Sequence, residues 1–542
     1  MKRETFARDA TGLTKPFSLR DTLIILIGAI NLGSGTLLLY STSLAFAPSY
    51  NYVLSLFIAM ILTLFVVLTY TYITTIMPRS GGDYVFVSRS VNPVLGFGGS
   101  FFWTVFAILG IAWNCLFMAT TAISNSLAVG GYAMNNSAMV NASVTATEPV
   151  WEFVISLVTI LVIMALMVFD PKWLKTFNLI AFVLGMLAVI AWLVVLGTTS
   201  QSTFANSFNA FAQPYMNTTN SYQAIISSAS SNGLSISTGW GAILAATFAS
   251  LPISYFTLGG ANVVNFFSGE VKQIGRTALI APLVALLSVT LFDILIGAAL
   301  FHATGAKFLT SLSYLAFTVG GTSYTLPTAP YLPLLVEITA PNIFMVVLTL
   351  VGMISWLYLL AMSFYLVASR NLFAWSFDGV ISNSFSLVNP RTHTPTRSVL
   401  LISVVAIIGV AFYCFYSVAF SYSNFTTGYN TAWLIACLAA IVFPFIKKDM
   451  FQAQSGYIRR KIAGIPVLSL IGLVGAVSVL FMDYEVAINP GYAGIPNNLS
   501  ETSLLLVGAV FVVGVILFLV ARAYQKRRGL DLSLVYRQVP PE

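Results

Sequence analysis

Apolar runs of about twenty residues, separated by short polar stretches, organise this chain from residue 21 to residue 522. A helix rises 1.5 Å per residue, so about 20 residues cross a hydrocarbon layer roughly 30 Å thick. The pattern predicts twelve spanning helices: 21–47, 52–76, 94–127, 151–169, 177–197, 240–268, 277–301, 342–368, 397–420, 430–446, 463–482 and 503–522. The expected fold class is an all-α polytopic membrane protein. Residues 198–239, rich in Ser, Asn, Thr and Gln and nearly uncharged, predict a solvated loop without chemistry of its own.

Composition sharpens the class. The chain is 58% hydrophobic and 8% charged, against about 25% charged in a soluble domain. Lys2, Arg3, Arg8, Lys15 and Arg20 make the first 20 residues polar. The apolar run behind them is too long for a signal-peptide core, so an uncleaved first span is expected. Cys115, Cys414 and Cys437 lie in apolar runs without ligand spacing and read as small core residues. Neither a metal site, a cofactor nor an enzymatic activity is expected. No nucleotide-binding loop is visible, which argues against a primary pump.

The net charge of +8 is a topology signal. With both termini on one side, 24 of the 25 Lys and Arg fall on that side, Lys307 being the exception. Positive residues mark the cytoplasmic face, so both termini are expected there and no nucleic-acid partner is implied. Sequons begin at Asn135, Asn141, Asn217, Asn424 and Asn498, all in segments this topology places outside. They are glycosylation candidates on a multi-pass plasma-membrane protein.

Function is expected where the helical pattern breaks. Gly28-Ala-Ile-Asn31-Leu-Gly33-Ser34-Gly35 interrupts the first span, and Tyr255-Phe256-Thr-Leu258-Gly259-Gly260-Ala-Asn262 follows Pro252 in the sixth. Glycine in a helix interior costs about 1 kcal/mol relative to alanine. Close packing through small residues is one explanation; unwinding of both helices is the other. Non-helical backbone at membrane depth is tolerated only inside protein or against a wet cavity. Two breaks five helices apart match an inverted five-helix repeat, whose half-helix ends suit a carboxylate and an ammonium group.

At these residues the chain resembles permeases of the amino acid–polyamine–organocation (APC) superfamily. "IGAINLGSG" is similar to that family's glycine segment in the first helix, and "PRSGGDYVFVSR" (78–89) to its signature after the second. "FTLGGANVVNFFSGEVKQIGR" (256–276) and "ASRNLFAWSFDGVISNSFSLVNPRTHTPTRS" (368–398) follow two further family segments. The resemblance implies a LeuT-like 5+5 inverted repeat with broken helices 1 and 6, plus two extra C-terminal helices, working by alternating access. It divides the chain into an N-terminal tail (1–20), a first repeat (21–197), the polar loop (198–239) and a second repeat (240–446). Peripheral helices 11 and 12 (447–522) and a C-terminal tail (523–542) follow.

The resemblance also implies a site. Backbone N–H groups at Gly33, Ser34 and Gly35 would hold a substrate carboxylate. Carbonyls near Ile30, Asn31, Phe256 and Gly259, with Leu258 and Gly260 beside them, would take the amino group. Phe256 would gate the site, or simply pack. Asn114 would line it, or bond to another helix; Asn262 would respond to substrate, or cap the second half of helix 6. Arg79, Arg89, Glu270, Lys272, Arg370 and Asp378 on the cytoplasmic side would form inter-loop ion pairs, or merely set topology.

For coupling, Asp293 is a carboxylate well inside an apolar run, about 12 Å from the end of its span. Such residues are functional candidates, here as a proton carrier or as a locally paired acid. The fifth span lacks the lysine of some proton-coupled relatives, while Ser355 and Ser363 offer hydroxyls for a sodium alternative. The expected function is a secondary transporter of amino acids in the lipid bilayer, with H+ or Na+ as coupling ion. A carrier of polyamines or other organic cations, an exchanger, and a non-transporting sensor are the alternatives. Oligomeric state is not legible.

Overall fold

The computed structural model of the chain describes residues 15–169, 171–389, 391–416, 425–454, 456–489 and 500–537. Among them, twelve helices are long and apolar enough to cross a membrane: Leu19–Phe46, Tyr52–Ile76, Pro93–Ala133, Pro149–Val168, Lys172–Thr198, Trp240–Thr257, Ile274–Thr304, Ile343–Phe377, Thr396–Phe415, Thr427–Ile446, Val467–Ile488 and Leu504–Arg527. The sole sheet among the described residues is a hairpin of Lys461–Ile462 and Ile465–Pro466. The all-helical, twelve-span reading therefore stands.

Three boundaries move for physical reasons. The third span continues to Ala133 through a π turn at Met118–Ile123, so its 41 residues reach beyond a bilayer's thickness. The eighth continues to Phe377 because "SRNLFAWSF" carries neither proline nor glycine to stop it. The sixth ends at Thr257 instead of 268: Leu258 is its C-cap, and Gly260 takes φ +104. The chain beyond resumes only as the short turns Val263–Asn265 and Ser268–Glu270.

The first span is the centre of the bundle, 89% of its most apolar window being buried, whereas the corresponding value for the twelfth is 17%. The eighth span packs on the first, third and fifth. The eleventh packs against the tenth, second and sixth.

The segment 198–239, expected as a solvated polar loop, carries two helices with buried faces, Gln201–Met216 and Ser221–Ser231. Phe204, Phe208 and Phe211 repeat at helical spacing and are fully buried, the first two against Phe308 at 5.7 and 4.8 Å between ring centroids. Tyr222 stacks on Phe308 at 4.1 Å. With Ala306–Tyr314 and Leu332–Thr339, these helices make a packed cap on the face opposite the N-terminus.

Candidate functional site

The first span breaks at a single residue. Asn31 has φ +68, separating Leu19–Ile30 from Leu32–Leu37. Its side chain explains why so short a break is stable. Oδ1 accepts the N–H groups of Gly33 and Ser34, each at 2.8 Å, and Nδ2 donates 2.9 Å to the carbonyl of Trp356 in the eighth span. This is an N-cap with its donors satisfied inside the protein. Gly35 N–H also bonds back to the Asn31 carbonyl at 3.1 Å. In this conformation Asn31 therefore engages the N–H groups of all three residues expected to hold a carboxylate.

Beside the break lies a small cavity of about 60 Å³. Ala29, Ile30, Ser34 and Gly35 line it from the first span, and Trp103, Phe106, Gly110, Trp113 and Asn114 from the third. The end of the sixth contributes Phe256, Thr257, Gly259 and Gly260; the eighth and tenth add Leu360, Phe364, Tyr429 and Trp433. No charged side chain is among them.

Seven of the ten expected binding residues therefore meet at one cavity: Ile30, Ser34, Gly35, Asn114, Phe256, Gly259 and Gly260. Three do not. Asn31 is occupied as described, and Leu258 is fully buried and absent from the lining. Gly33 lies under Trp356, whose Cβ would stand 2.5 Å from a Cβ added there. Gly260 is demanded twice over, by its positive φ and because a Cβ would come 2.5 Å from the Ala29 carbonyl oxygen. This is where the sixth-span end touches the first-span break.

Phe256 stacks on Tyr429 at 5.8 Å and meets Trp113 edge-on at 6.1 Å. Asn114 donates Nδ2 to Gly110 O at 2.8 Å, within its own helix, and leaves Oδ1 without a partner. Tyr429 Oη and the Nε1 atoms of Trp103 and Trp433 are likewise buried and unpartnered. The cavity wall thus combines aromatic faces with a few unused donors and acceptors. Sequence reasoning missed these aromatics. The signal was present as Trp103, Phe106, Gly110 and Trp113 on one helical face, and Tyr429 with Trp433 one turn apart.

The coupling candidates lie elsewhere. Asp293 is fully buried in the seventh span with neither carboxyl oxygen partnered; Tyr40 donates to its backbone carbonyl. Ser363 Oγ is 2.9 Å from Leu359 O and 3.4 Å from Ile25 O of the first span. Ser355 bonds only within its helix, to Val351 O at 2.7 Å. Asn262 is buried at the N-cap position of Val263–Asn265, with both amide atoms unpartnered and no side-chain cap bond. Asn135, Asn141 and Asn217 are exposed on the capped face. Asn424 and Asn498 fall outside the described residues.

On the face bearing the N-terminus, Arg89, Glu270, Arg370 and Asp378 form two buried ion pairs. Arg370 holds Glu270 with two bonds of 2.7 Å, and Arg89 reaches Asp378 at 2.7 Å with both side chains about 2% exposed. Tyr84 donates to Asp378 at 2.8 Å, and Tyr536 from the C-terminal tail lies 3.1 Å from the Tyr84 hydroxyl. The chain before the first span joins this face: Phe17 N–H donates to Glu270 O, and Lys272 N–H donates to Phe17 O. Arg79 contributes its carbonyl, which accepts from Ser268. Nearby, burial pushes the Asp83 carboxyl up to about 7, against the pull of the 2.9 Å bond from Tyr70.

A family profile described as amino acid permease matches residues 17–519. No curated protein matches the chain.

Proposed function

The chain belongs to the amino acid permease family, a family of membrane transporters, and from that premise we propose that it moves amino acids across the plasma membrane by alternating access. The observation that carries this reading is the cavity itself. It forms where the first-span break meets the end of the sixth span, and backbone, amide and aromatic groups line it without any formal charge. A zwitterion brings both its charges with it, and a site built from backbone dipoles can meet both.

We further propose the LeuT-like pairing of residues 21–197 with 240–446, with both termini cytoplasmic and glycans on the exposed outer sequons. The paired face at Arg370–Glu270 and Arg89–Asp378 would then be the inner gate, closed here. Transport requires that gate to open and Asn31 to release the N–H groups of Gly33 and Ser34 to a substrate carboxylate. Coupling to a proton through Asp293, or to sodium beside Ser363, belongs to the same proposal.

A second reading has an observation of its own. Trp103, Trp113, Phe256, Tyr429 and Trp433 surround the cavity, and aromatic faces attract an organic cation. Uptake of labelled amino acids and labelled polyamines into proteoliposomes separates the two.

The test of the site uses Gly35→Leu. A Cβ there meets only Thr257, at 3.4 Å, so the protein should fold while the longer side chain fills the cavity. Uptake should fall to background, and normal uptake would remove the cavity from the mechanism. Asp293→Asn should flatten the pH dependence of uptake; an unchanged profile would remove Asp293 from coupling.

A further inference from the structure

We propose that Asp483, on the eleventh span, is a proton-binding site that reports to the cavity through Asn430 and Tyr429. It lies within the residues the family profile matches but outside the four motif segments quoted above. The inference rests on the transport reading for its consequence, but the site itself can be tested without substrate.

Asp483 sits five residues from the end of its helix, about 8 Å inside that end at 1.5 Å per residue. It is partly exposed, whereas Asp293 is fully buried. Its partner is an amide: Asn430 Nδ2 donates to the carboxylate at 2.8 Å. The second, sixth and tenth spans packed against the eleventh contain no Lys, Arg, Asp or Glu. The titratable groups that face Asp483 from them are the hydroxyls of Tyr255 and Tyr429, within its electrostatic reach, with Cys437 and Tyr70 beyond Tyr255. On its own helix, Glu485 is bonded to Asn489.

An arginine partner would hold this carboxylate ionised, as Arg370 holds Glu270. An amide serves both states. The carboxylate accepts Nδ2–H as observed. When a proton from water bonds to one carboxyl oxygen, the new O–H can donate to Asn430 Oδ1, which is buried and has no partner here. The amide then turns, exchanging one hydrogen bond for another, with no charge left uncompensated.

The consequence reaches the cavity in one residue. Tyr429 precedes Asn430, lines the cavity, stacks on Phe256 and lies 4.5 Å from Trp433 between ring centroids. The Tyr255 and Tyr429 hydroxyls are both buried without partners. An ionised Asp483 attracts these O–H dipoles and a neutral one releases them, so protonation alters which donors face the substrate.

The full-length protein in lipid nanodiscs provides the first test, by infrared titration of carboxylic C=O bands. Wild type should show a band that disappears as pH rises; Asp483→Asn should lack it, and Asp483→Glu should keep it at a shifted position. Identical titrations in wild type and Asp483→Asn overturn the proposal. The second test uses proteoliposomes and a labelled mixture of the twenty amino acids. Proton-gradient-driven accumulation by Asp483→Asn should fall at least tenfold, while counterflow without a gradient persists. Gradient-driven accumulation equal to wild type overturns the coupling. If wild type itself moves none of the twenty, the transport reading fails, and the infrared result still decides the site.

Discussion

The cavity and the face that carries the N-terminus solve opposite problems. On the N-terminal face, Arg89, Asp378, Arg370 and Glu270 are buried and bonded to one another at 2.7 to 2.8 Å. In the cavity wall no side chain is charged, and Asn114 Oδ1, Tyr429 Oη and two indole N–H groups are left without partners. Buried polar atoms are ordinarily bonded. The N-terminal face is held by buried ion pairs, with Arg89 Nε and Asp83 Oδ1 left over, whereas the cavity wall is neutral and its unpartnered atoms face a shared space.

The largest effect should come from breaking the closed face. Removing one partner of a buried ion pair strands the other charge, at about 3 to 5 kcal/mol. Arg370→Met should therefore lower thermal stability by that order, and Arg370→Met combined with Glu270→Leu should recover most of it. Calorimetry in detergent checks both; a neutral single variant would mean that the pair adds nothing to closure.

A smaller effect comes from Asp83 at the same end. An unfolded aspartate titrates at about 3.9, whereas burial holds the folded one up to about 7. Below pH 4 both states are protonated. Between 4 and 7 the unfolded chain ionises first, so the contribution to stability falls as pH rises, and it is lost above 7. Asp83→Asn, which can still accept from Tyr70, should thus remove about 2 kcal/mol of pH dependence between pH 5 and 8. A variant whose stability falls as steeply as wild type across that window would contradict this.

The smallest expected effect is in the cavity. Phe256→Ala removes the ring between Tyr429 and Trp113, so a substrate's affinity should drop about tenfold, roughly 1.4 kcal/mol, with stability little changed. Unchanged affinity would make Phe256 a packing residue.

Some of this was legible in the sequence, and the reason differs by element. The spans follow from length and hydropathy, because a bilayer imposes both. The break was legible in the glycines, but its position was not: Asn31 carries it, by a cap formed with its own amide, while Gly33 is small for the sake of Trp356. The aromatic wall was hidden because a spanning helix is apolar toward lipid and toward protein alike, so hydrophobicity does not mark the inward face. The cap at 201–231 was hidden by dilution, its buried Phe204, Phe208 and Phe211 lying among serines and asparagines. The ion pairs were legible as charges in motifs, and only the fold could show which charges meet.

The central claim is that the cavity between the first-span break and the sixth-span end binds a small amine-bearing solute. A thermal-shift screen of the purified protein against the twenty amino acids and common polyamines tests it most directly. A ligand at a hundred times its Kd stabilises the folded state by about 2.7 kcal/mol. At least one amine should raise the melting temperature of wild type and leave Gly35→Leu unmoved. A screen in which no amine shifts wild type, or in which Gly35→Leu shifts equally, would contradict it.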